Sequence, residues 1–330
     1  MTVAVVILNW NGIKLLKQFL PSVVDFSPEA TVYVADNAST DTSVEYVKKN
    51  FPGVKILQNK MNGGYSKGYN DALSGLDEEL FILLNSDVQV TPHWLPPIIE
   101  LFEKNDDLGA AQPKILDFKN PEYFEYAGAA GGFLDKLGYP YCRGRVFNRL
   151  EKDEGQYDDE TDIFWASGAC LAIRSSAFFK IGGLDEDYFA HQEEIDVCWR
   201  LHNFGFTVKY TPKSIVYHVG GATLSHMNPR KTFYNFRNSL YNLLKNLPVS
   251  QLLWILPIRM ILDGIAAIKF LMEGRGTHFL AILNAHMRFY KMLPAFLKKR
   301  KNTPEKFASF PKFSVVYSHY VLGKKIFSEI

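Results

Sequence analysis

Short hydrophobic runs recur early in the chain and alternate with longer stretches of mixed residues. The runs cover residues 3–9, 30–37, 54–59 and 80–86. Each is rich in Val, Ile and Leu at consecutive positions, which is typical of strands buried on both faces. The stretches between them, residues 13–24, 39–51 and 66–76, space their apolar residues as helices do. The alternation predicts an α/β fold with a mostly parallel sheet and helices on both faces.

The pattern changes from about residue 163. A further strand is predicted at 163–174, a loop at 182–189, a helix at 193–205 that Gly205 closes, and a short strand pair at 208–221. After residue 230 the chain is predicted to be helical and aromatic.

The carboxyl-terminal stretch 254–272 is apolar, but proline, glycine and charged residues interrupt it. A spanning helix needs about 20 predominantly apolar residues, so this stretch is a poor transmembrane candidate. Together with the Lys/Arg-rich stretch 279–301 it fits helices that lie in a membrane interface. An ordinary helical subdomain packed on the core fits equally well, and the sequence leaves both interpretations open.

Composition narrows the class of protein. The 330 residues are ample for a sizeable core, and 37 Lys plus Arg nearly balance 35 Asp plus Glu, so no overall basic field indicates nucleic acid. Three cysteines form neither an even disulfide set nor a zinc pattern. The apolar amino terminus has no basic flank or cleavage site and suits a first strand better than a signal peptide. We therefore expect a cytoplasmic protein.

Polar residues follow each of the four predicted strands. In parallel sheets, ligands bind outside the carboxyl ends of the strands. Asn, Asp and Gly also form turns and helix caps, and we favour that interpretation for Ser39, Thr40 and Asp41 taken alone. Four successive strands with such ends favour a binding site. The residues are Asn9 and Asn11, then Asp36, Asn37 and Asp41, then 62–67, then Asn85 and Asp87.

Asn85 and Asp87 carry the first candidate chemistry. Carboxylate and amide oxygens suit Mg²⁺ or Mn²⁺, which take one or two protein oxygens plus substrate phosphates. Side chains alternate along an extended segment, so these two face the same side. An Asn-Ser-Asp triplet is by itself a weak signal, since many turns have it.

The second candidate is the acidic start of the predicted helix at 193. Glu193 and Asp196 lie on one helical face, while Glu194 points about 100 degrees away from Glu193. A carboxylate beside apolar neighbours can have a raised pKa and act as a general base. Acidic residues in a first helical turn also complement the helix dipole. We accept that structural interpretation for Asp196 and Arg200 but not for Glu194.

The third candidate is His218. A lone histidine at a strand end is usually a structural residue. Here glycines follow it, so a backbone or phosphate could approach closely, and a ligand role is a second interpretation.

Six motifs in order carry a resemblance. They are LNWNG, VADNASTDTS, NGGYSKGYNDAL, LLNSDV, the stretch from ASGACLAIR to EEIDVCWR, and VYHVGGAT, and the resemblance around them covers about residues 3–245. The chain resembles family 2 glycosyltransferases of the GT-A fold, on the rhamnosyltransferase-like branch. The resemblance implies a Rossmann-like sheet, a divalent metal (Mg²⁺ or Mn²⁺), and inverting transfer of a sugar from a nucleotide donor to an acceptor hydroxyl.

The resemblance also assigns residues. Glu194 stands at the position of the catalytic base. Asp87 and His218 stand at metal positions. The nucleotide and donor positions match Asn9, Trp10, Asp36, Asn37, Asn62, Gly63, Lys67, Asn70, Asn85 and Ser86, and the cleft positions match Trp165, Ser167, Gly168 and Asp196.

Two residues depart from the family pattern. Asn85 replaces the first carboxylate of the DxD motif, which lowers the charge of the metal site. Glu194 replaces the usual catalytic Asp and is one methylene longer, so either the helix lies further back or Glu193 shares the task.

The resemblance suggests a dTDP- or UDP-sugar donor and a glycan or lipid-linked acceptor in surface polysaccharide synthesis, at the inner face of the cell membrane. It divides the chain into a GT-A domain, 1–229, with a nucleotide-sugar half to about 115 and an acceptor half from 116, and a helical region, 230–330. An inactive carbohydrate- or nucleotide-binding module is the alternative that the Asn85 departure motivates. A sugar nucleotidyltransferase is disfavoured, because no Gly-rich basic triphosphate loop follows the first strand.

Overall fold

The computed structural model describes residues 1–220, 228–301 and 310–330. The last three residues of the VYHVGGAT motif, 221–223, lie outside the described residues. The strands are β1 Val3–Asn9, β2 Thr31–Asp36, β3 Lys55–Gln58, β4 Leu80–Asn85, β5 Val88–Val90, β6 Leu108–Asp117, β7 Gly132–Leu134, β8 Pro140–Cys142, β9 Arg145–Val146, β10 Arg149–Leu150, β11 Thr161–Asp162, β12 Cys170–Arg174 and β13 Thr207–His218. The helices are α1 Ile13–Asp25, α2 Ser43–Asn50, α3 Gly64–Leu73, α4 Leu95–Lys104, α5 Ser175–Lys180, α6 Glu193–Asn203, α7 Pro229–Asn246, α8 Val249–Met272, α9 Gly276–Lys301 and α10 Val315–Tyr320.

Within the described residues, nine strands form the central sheet in the order β11-β13-β6-β12-β4-β1-β2-β3, with β5 paired to β13. The pairs β1–β2, β1–β4, β2–β3 and β6–β13 are parallel, whereas β12 runs antiparallel to both β4 and β6. The mostly parallel α/β fold predicted from the sequence is confirmed.

The strand order reverses between β1 and β4. The chain moves outward from β1 to β2 and β3, then returns to the other side of β1 as β4. Such a switch point opens a crevice at the carboxyl ends of the strands, where ligands bind in open α/β sheets. Asn9 ends β1 in register with Asp36, and Leu8 is in register with Asn85. The predicted strand-end residues therefore meet at one edge.

Both faces of the central strands are covered. One core contains Val5, Ile7, Ile82 and Leu84, and the other contains Ala4, Val6, Phe81 and Leu83. Alternate residues of a strand point to opposite faces, so these continuous apolar runs supply two cores at once. In the described ranges, a second, separate sheet has four antiparallel strands in the order β10-β9-β8-β7.

The predicted short strand pair at 208–221 is wrong, because β13 is one strand of 12 residues. Its pairing with β6 shifts register between Thr211 and Ile215. Pro212 lacks a backbone N–H and cannot continue the ladder, so the strand bulges and resumes pairing at Ile215. The Pro-Lys-Ser triplet, which resembles a turn in the sequence, forms this bulge.

The carboxyl-terminal helices pack on the site side of the sheet domain. α7 contacts both α6 and α9, and α8 contacts α9. The rings of Tyr241 in α7 and Phe296 in α9 stack with centroids 3.8 Å apart. In the part of the chain that the structure describes, no helix is long and apolar enough to cross a membrane. The division of the chain at residue 229 stays a prediction.

Candidate active site

The end of β4 brings Asp87 against His218. The turn after Asn85 leads directly into β5, whose first residue, Val88, pairs with His218 at the end of β13. This antiparallel pairing places Nε2 of His218 3.1 Å from Oδ1 of Asp87. Both side chains are buried, with 7% of Asp87 and 5% of His218 exposed.

The other nitrogen of His218 faces a second carboxylate. Oε1 of Glu125 lies 3.2 Å from Nδ1 of His218. Burial opposes the cationic form of the imidazole, but the charges of Glu125 and Asp87 outweigh it and raise the pKa of His218 to about 10. In the absence of another cation, His218 is therefore the positive charge between two buried acids.

Asp87 and His218 are suited to a divalent cation. The carboxylate oxygen of Asp87 and the Nε2 nitrogen of His218 lie next to each other. Glu125 lies on the far side of the imidazole ring. Among the described residues, no group of three His, Cys, Asp or Glu side chains forms a complete metal site. Two protein ligands are what Mg²⁺ or Mn²⁺ uses when substrate phosphates complete its shell. Asn85, two residues before Asp87, ends β4 with a partly buried side chain.

The acidic start of α6 forms the second part of the site. The helix begins at Glu193 after three residues with positive φ, Phe189 at 66°, His191 at 68° and Gln192 at 71°. Non-glycine residues occupy this region rarely and tend to do so at functional sites. Partial burial raises the pKa of Glu194 to about 7. Burial, together with the charge of Glu194, raises the pKa of Glu193 well above its usual range.

The segment Gly168–Ala169 connects the two parts. A Cβ on Gly168 would lie 3.8 Å from Cβ of Glu194, and the Gly168 carbonyl accepts a hydrogen bond from the Tyr65 hydroxyl at 2.9 Å. The next residue, Ala169, accepts the backbone N–H of Asn85 at 3.0 Å. Glu194 and the Asn85–Asp87 turn therefore lie beside two consecutive residues of one segment, at the carboxyl edge of β4.

The predicted nucleotide residues form a connected polar network at the edges of β1 and β2. Asn9 is buried and donates through Nδ2 to Asp36 Oδ1 at 3.1 Å and to Ser43 Oγ at 2.9 Å. Asn37 donates to Asn62 Oδ1 at 3.0 Å. Beside this network the ring of Trp10 is 53% exposed, so an aromatic face is open to solvent where the strand ends converge.

A model of the family described as Glycosyl transferase family 2 matches residues 4–182, which is more than half of the chain. The chain belongs to glycosyl transferase family 2. The predicted family is thus confirmed.

One relative by sequence and two solved structures are similar to this chain. The N-acetylglucosaminyl-diphospho-decaprenol L-rhamnosyltransferase of Mycobacterium tuberculosis is 29% identical over 222 residues, which cover 62% of this chain and 71% of the relative. The structure of S. aureus TarS 1-349 in complex with UDP-GlcNAc has a TM-score of 0.56 at 14% identity and covers 92% of this chain and 93% of that one. GalNAc-T7 with UDP, GalNAc and Mn²⁺ has a TM-score of 0.61 at 18% identity over 76% of this chain, which spans about half of that chain, 48%.

In this glycosyltransferase, three of the four predicted cleft residues lie in the core. Trp165 is 3% exposed, Ser167 1% and Asp196 0%. The indole of Trp165 packs against Gly132 and donates to the Phe133 carbonyl at 3.1 Å, and the backbone N–H of Ser167 donates to Gln112 at 2.8 Å. These three side chains are therefore buried in internal contacts, and their assignment to a cleft stays a prediction.

Two residues of the predicted donor loop are engaged in local contacts. Asn70 exchanges two hydrogen bonds with the Leu184 backbone, donating to its carbonyl at 2.8 Å and accepting its N–H at 2.9 Å. Lys67 pairs with Asp71 at 2.8 Å, one turn along α3. Asn70 thus ties α3 to the loop that leads toward α6, and Lys67 must leave Asp71 to reach a donor.

Sequence reasoning missed the residues of α7 that hold the strained loop. Asn238 donates to the carbonyls of Tyr188, Ala190 and His191 at 3.2, 3.0 and 2.7 Å, and Arg237 donates to Tyr188 at 2.9 Å. The available signal was a set of polar residues at helical spacing in α7, Asn238, Asn242 and Lys245, all of them buried. A buried polar stripe needs partners, and the loop carbonyls supply them.

Proposed function

We propose that this glycosyltransferase performs inverting transfer from a nucleotide-diphosphate sugar to an acceptor hydroxyl, with Glu194 as the base. The observation that carries the proposal is that Glu194 lies beside Gly168 and the Asn85–Asp87 turn beside the next residue, Ala169. One part of the site offers a proton acceptor and the other offers ligands for a cation and a diphosphate.

The chemistry follows from the two parts. Glu194 accepts the proton of the acceptor hydroxyl as its oxygen attacks the anomeric carbon of the donor. The bond from that carbon to the diphosphate oxygen breaks, and the nucleoside diphosphate leaves with the electron pair. Attack opposite the leaving group inverts the anomeric centre. When bound at Asp87 and His218, a divalent cation would neutralise the charge that develops on the diphosphate.

A pKa near 7 suits this role. Proton transfer is efficient when the pKa of the base lies near the working pH, because the base is then ionised and still basic. An unperturbed glutamate is a weaker base by more than two pKa units, and partial burial supplies the difference. Glu194 reaches this value without a cationic partner.

The relatives guide the substrate proposal. The M. tuberculosis relative is named for a diphospho-decaprenol-linked acceptor and for rhamnose, and the TarS neighbour holds UDP-GlcNAc. We propose a dTDP- or UDP-sugar donor and a glycan or lipid-linked acceptor in surface polysaccharide synthesis. The exposed Trp10 ring, beside Asp36 and Asn37, is the proposed platform for the nucleotide base.

Donor screening tests the function. The purified chain is incubated with dTDP- and UDP-sugars with and without Mn²⁺, and thermal shift and sugar transfer are measured. A donor that stabilises the fold and is slowly hydrolysed without acceptor, in a reaction that Glu194→Gln removes, supports the proposal, since a ligand that binds only the folded form raises its stability. Binding without any turnover would favour the inactive binding module, and a rate unaffected by chelation would contradict the metal assignment.

We also propose that α8 and α9 rest on the inner face of the cell membrane. Along α8, exposed apolar side chains recur every three or four residues, which forms one continuous stripe. Its members are Trp254, Ile258, Ile261, Ile265, Ile268 and Met272, between 39% and 83% exposed. The opposite face of α8 is buried, with Ile255, Arg259, Asp263 and Ala267.

The adjoining helix α9 repeats the pattern. Its stripe consists of Leu280, Leu283, Met287, Tyr290 and Leu297, between 42% and 71% exposed. Residues 249–301 contain nine Lys and Arg but only two acidic residues, although the whole chain has a net charge of +2. Two apolar stripes within a basic segment fit an anionic lipid surface, where apolar burial and charge attraction add.

Vesicle flotation tests this surface. We expect the chain to float with vesicles containing about a third phosphatidylglycerol at low salt. The Ile261→Glu/Ile265→Glu variant should stay in the bottom fraction of the gradient. Met61→Glu changes an equally exposed apolar residue outside the two helices, 59% exposed, and should float as the wild type does. A wild-type chain that forms a stable dimer but does not float would show that a second copy covers the stripes instead.

A further inference from the structure

Glu125 is a buried acid outside the predicted site, in the segment after β6. Its backbone N–H donates to Ile115 at 3.0 Å, which holds the residue along β6, and its side chain is 3% exposed. One carboxylate oxygen, Oε2, accepts the N–H of Ala127 at 2.5 Å. The other, Oε1, lies 3.2 Å from Nδ1 of His218. Oε2 is thus held by a backbone hydrogen bond, and Oε1 is directed toward the His218 ring.

The two nitrogens of His218 have different surroundings. Nδ1 lies 3.2 Å from Oε1 of Glu125 as an ion contact and makes no hydrogen bond within the described residues, while Nε2 lies 3.1 Å from Oδ1 of Asp87. An imidazole that donates from Nδ1 presents a lone pair at Nε2. Metal-binding histidines commonly donate their second N–H to a carboxylate, which fixes both the tautomer and the ring orientation.

We propose that Glu125 is a positioning residue that holds the His218 ring with Nε2 directed toward Asp87 and a bound divalent cation. The inference rests on the proposed metal site. It adds Glu125, which lies on the side of the His218 ring that faces away from the cation. Glu125 does not touch the cation or the substrate, and it acts through His218 alone.

Gly220 supports this assignment. Its φ of +66° disfavours any other residue, and a Cβ there would lie 2.8 Å from Oε1 of Glu125. The first glycine of the His-Val-Gly-Gly sequence therefore makes room for the Glu125 carboxylate. A larger residue at this position would displace the oxygen that faces His218.

The Glu125→Gln substitution tests the proposal with little change of shape. Gln has one acceptor oxygen, whereas Glu125 uses two, so the variant must give up a contact. If its oxygen keeps the Ala127 N–H, its amide N–H₂ faces Nδ1 and favours the tautomer that carries a proton on Nε2. That tautomer cannot bind a cation. We expect Mn²⁺ to bind 10- to 100-fold more weakly in the presence of UDP, measured by calorimetry.

The control is Glu122→Gln, an exposed acid of the same segment that pairs with Lys152 at 3.0 Å. It should bind Mn²⁺ as the wild type does. A double-mutant cycle with His218→Ala separates positioning from a general loss of order, because a residue acting only through His218 has no further effect once the ring is gone. Glu125→Asp, which keeps the charge but is one methylene shorter, replaces Glu125→Gln if the latter does not fold.

Each outcome decides one point. Weakened Mn²⁺ binding in both single variants, with the double variant no weaker than His218→Ala, supports the proposal. Unchanged Mn²⁺ binding in Glu125→Gln overturns it. If Mn²⁺ binding is nevertheless weakened in His218→Ala, the assignment of the metal site itself stands. Unchanged binding in His218→Ala would remove the metal site and this inference together.

Discussion

The first turn of helix α6 carries three acids, and their surroundings differ. Asp196 faces α7 and accepts hydrogen bonds from Arg200 at 2.8 Å, Lys245 at 2.9 Å and Asn246 at 3.0 Å. Glu193 and Glu194, three and two residues earlier, have no cationic partner within 4.0 Å in the described part of the chain, and Oε2 of Glu193 has no hydrogen-bond partner there. The same helical turn thus carries one paired acid, Asp196, and two unpaired acids, of which Glu194 points away from Asp196.

The difference shows which effect controls each group. Burial alone would raise the pKa of Asp196, but the charges of Arg200 and Lys245 outweigh it and lower the pKa. No such charge opposes burial at Glu194, and its pKa rises to about 7. Because desolvation acts on both, the presence of partners decides the sign. One face of α6 therefore contributes stability, and the other is available for proton transfer.

The largest expected effect is on the rate. Glu194→Gln removes the proton acceptor and should lower the rate of transfer about 10²- to 10⁴-fold, as measured by release of the nucleoside diphosphate. Donor binding, followed by thermal shift, should persist. Glu45→Gln changes an exposed glutamate in the first turn of α2 and serves as the control. A Glu194→Gln rate near that of the wild type would remove Glu194 from the role of base.

The other face of α6 should respond through stability. Asp196→Ala leaves Lys245 and Arg200 without their shared acceptor, and a broken buried pair costs about 3–5 kcal/mol in the free energy of unfolding. Asp71→Ala breaks an exposed pair of the same i,i+4 spacing, with Lys67, and should cost less than about 1 kcal/mol.

Urea unfolding measures both variants. Asp196→Asn keeps the shape and serves as the second variant if Asp196→Ala does not fold. Equal losses for Asp196 and Asp71 would contradict the assigned difference between buried and exposed pairs.

The sequence predicted some of these features and not others, for physical reasons. Strands β1 to β4 have continuous apolar runs, and the polar ends of those strands can meet only at one edge, so Asn85 and Asp87 were found by pattern alone. Glu125 lies in an irregular segment with no periodicity, and its contact with His218 depends on how β13 returns beside β6. Trp165 and Ser167 stand at family positions in the sequence, yet burial is a property of the fold, and only the structure shows that their side chains are buried.

A smaller effect should appear in the pH dependence of stability. Since the pKa of Glu194 is raised on folding, its contribution to stability is complete below its unfolded value of about 4.5 and is lost as the pH rises through about 7. Glu194→Gln cannot ionise. Its free energy of unfolding should therefore gain about 1–3 kcal/mol over the wild type between pH 5 and pH 8.

Denaturant unfolding at the two pH values measures this gain, with Glu45→Gln as the control. A constant difference between Glu194→Gln and the wild type would show that Glu194 has an ordinary pKa.

The smallest effect distinguishes the two adjacent glutamates. Burial and the charge of Glu194 raise the pKa of Glu193 well above its usual range, which favours its neutral form, and Gln is the close mimic of that form. Glu193→Gln should change kcat by less than about tenfold, because a neutral group is replaced by a neutral group. The acid limb of its kcat/KM profile should keep a midpoint near 7, the value set by Glu194. A loss as large as that of Glu194→Gln, together with disappearance of the acid limb, would instead identify Glu193 as the base, on the helical face that also carries Asp196.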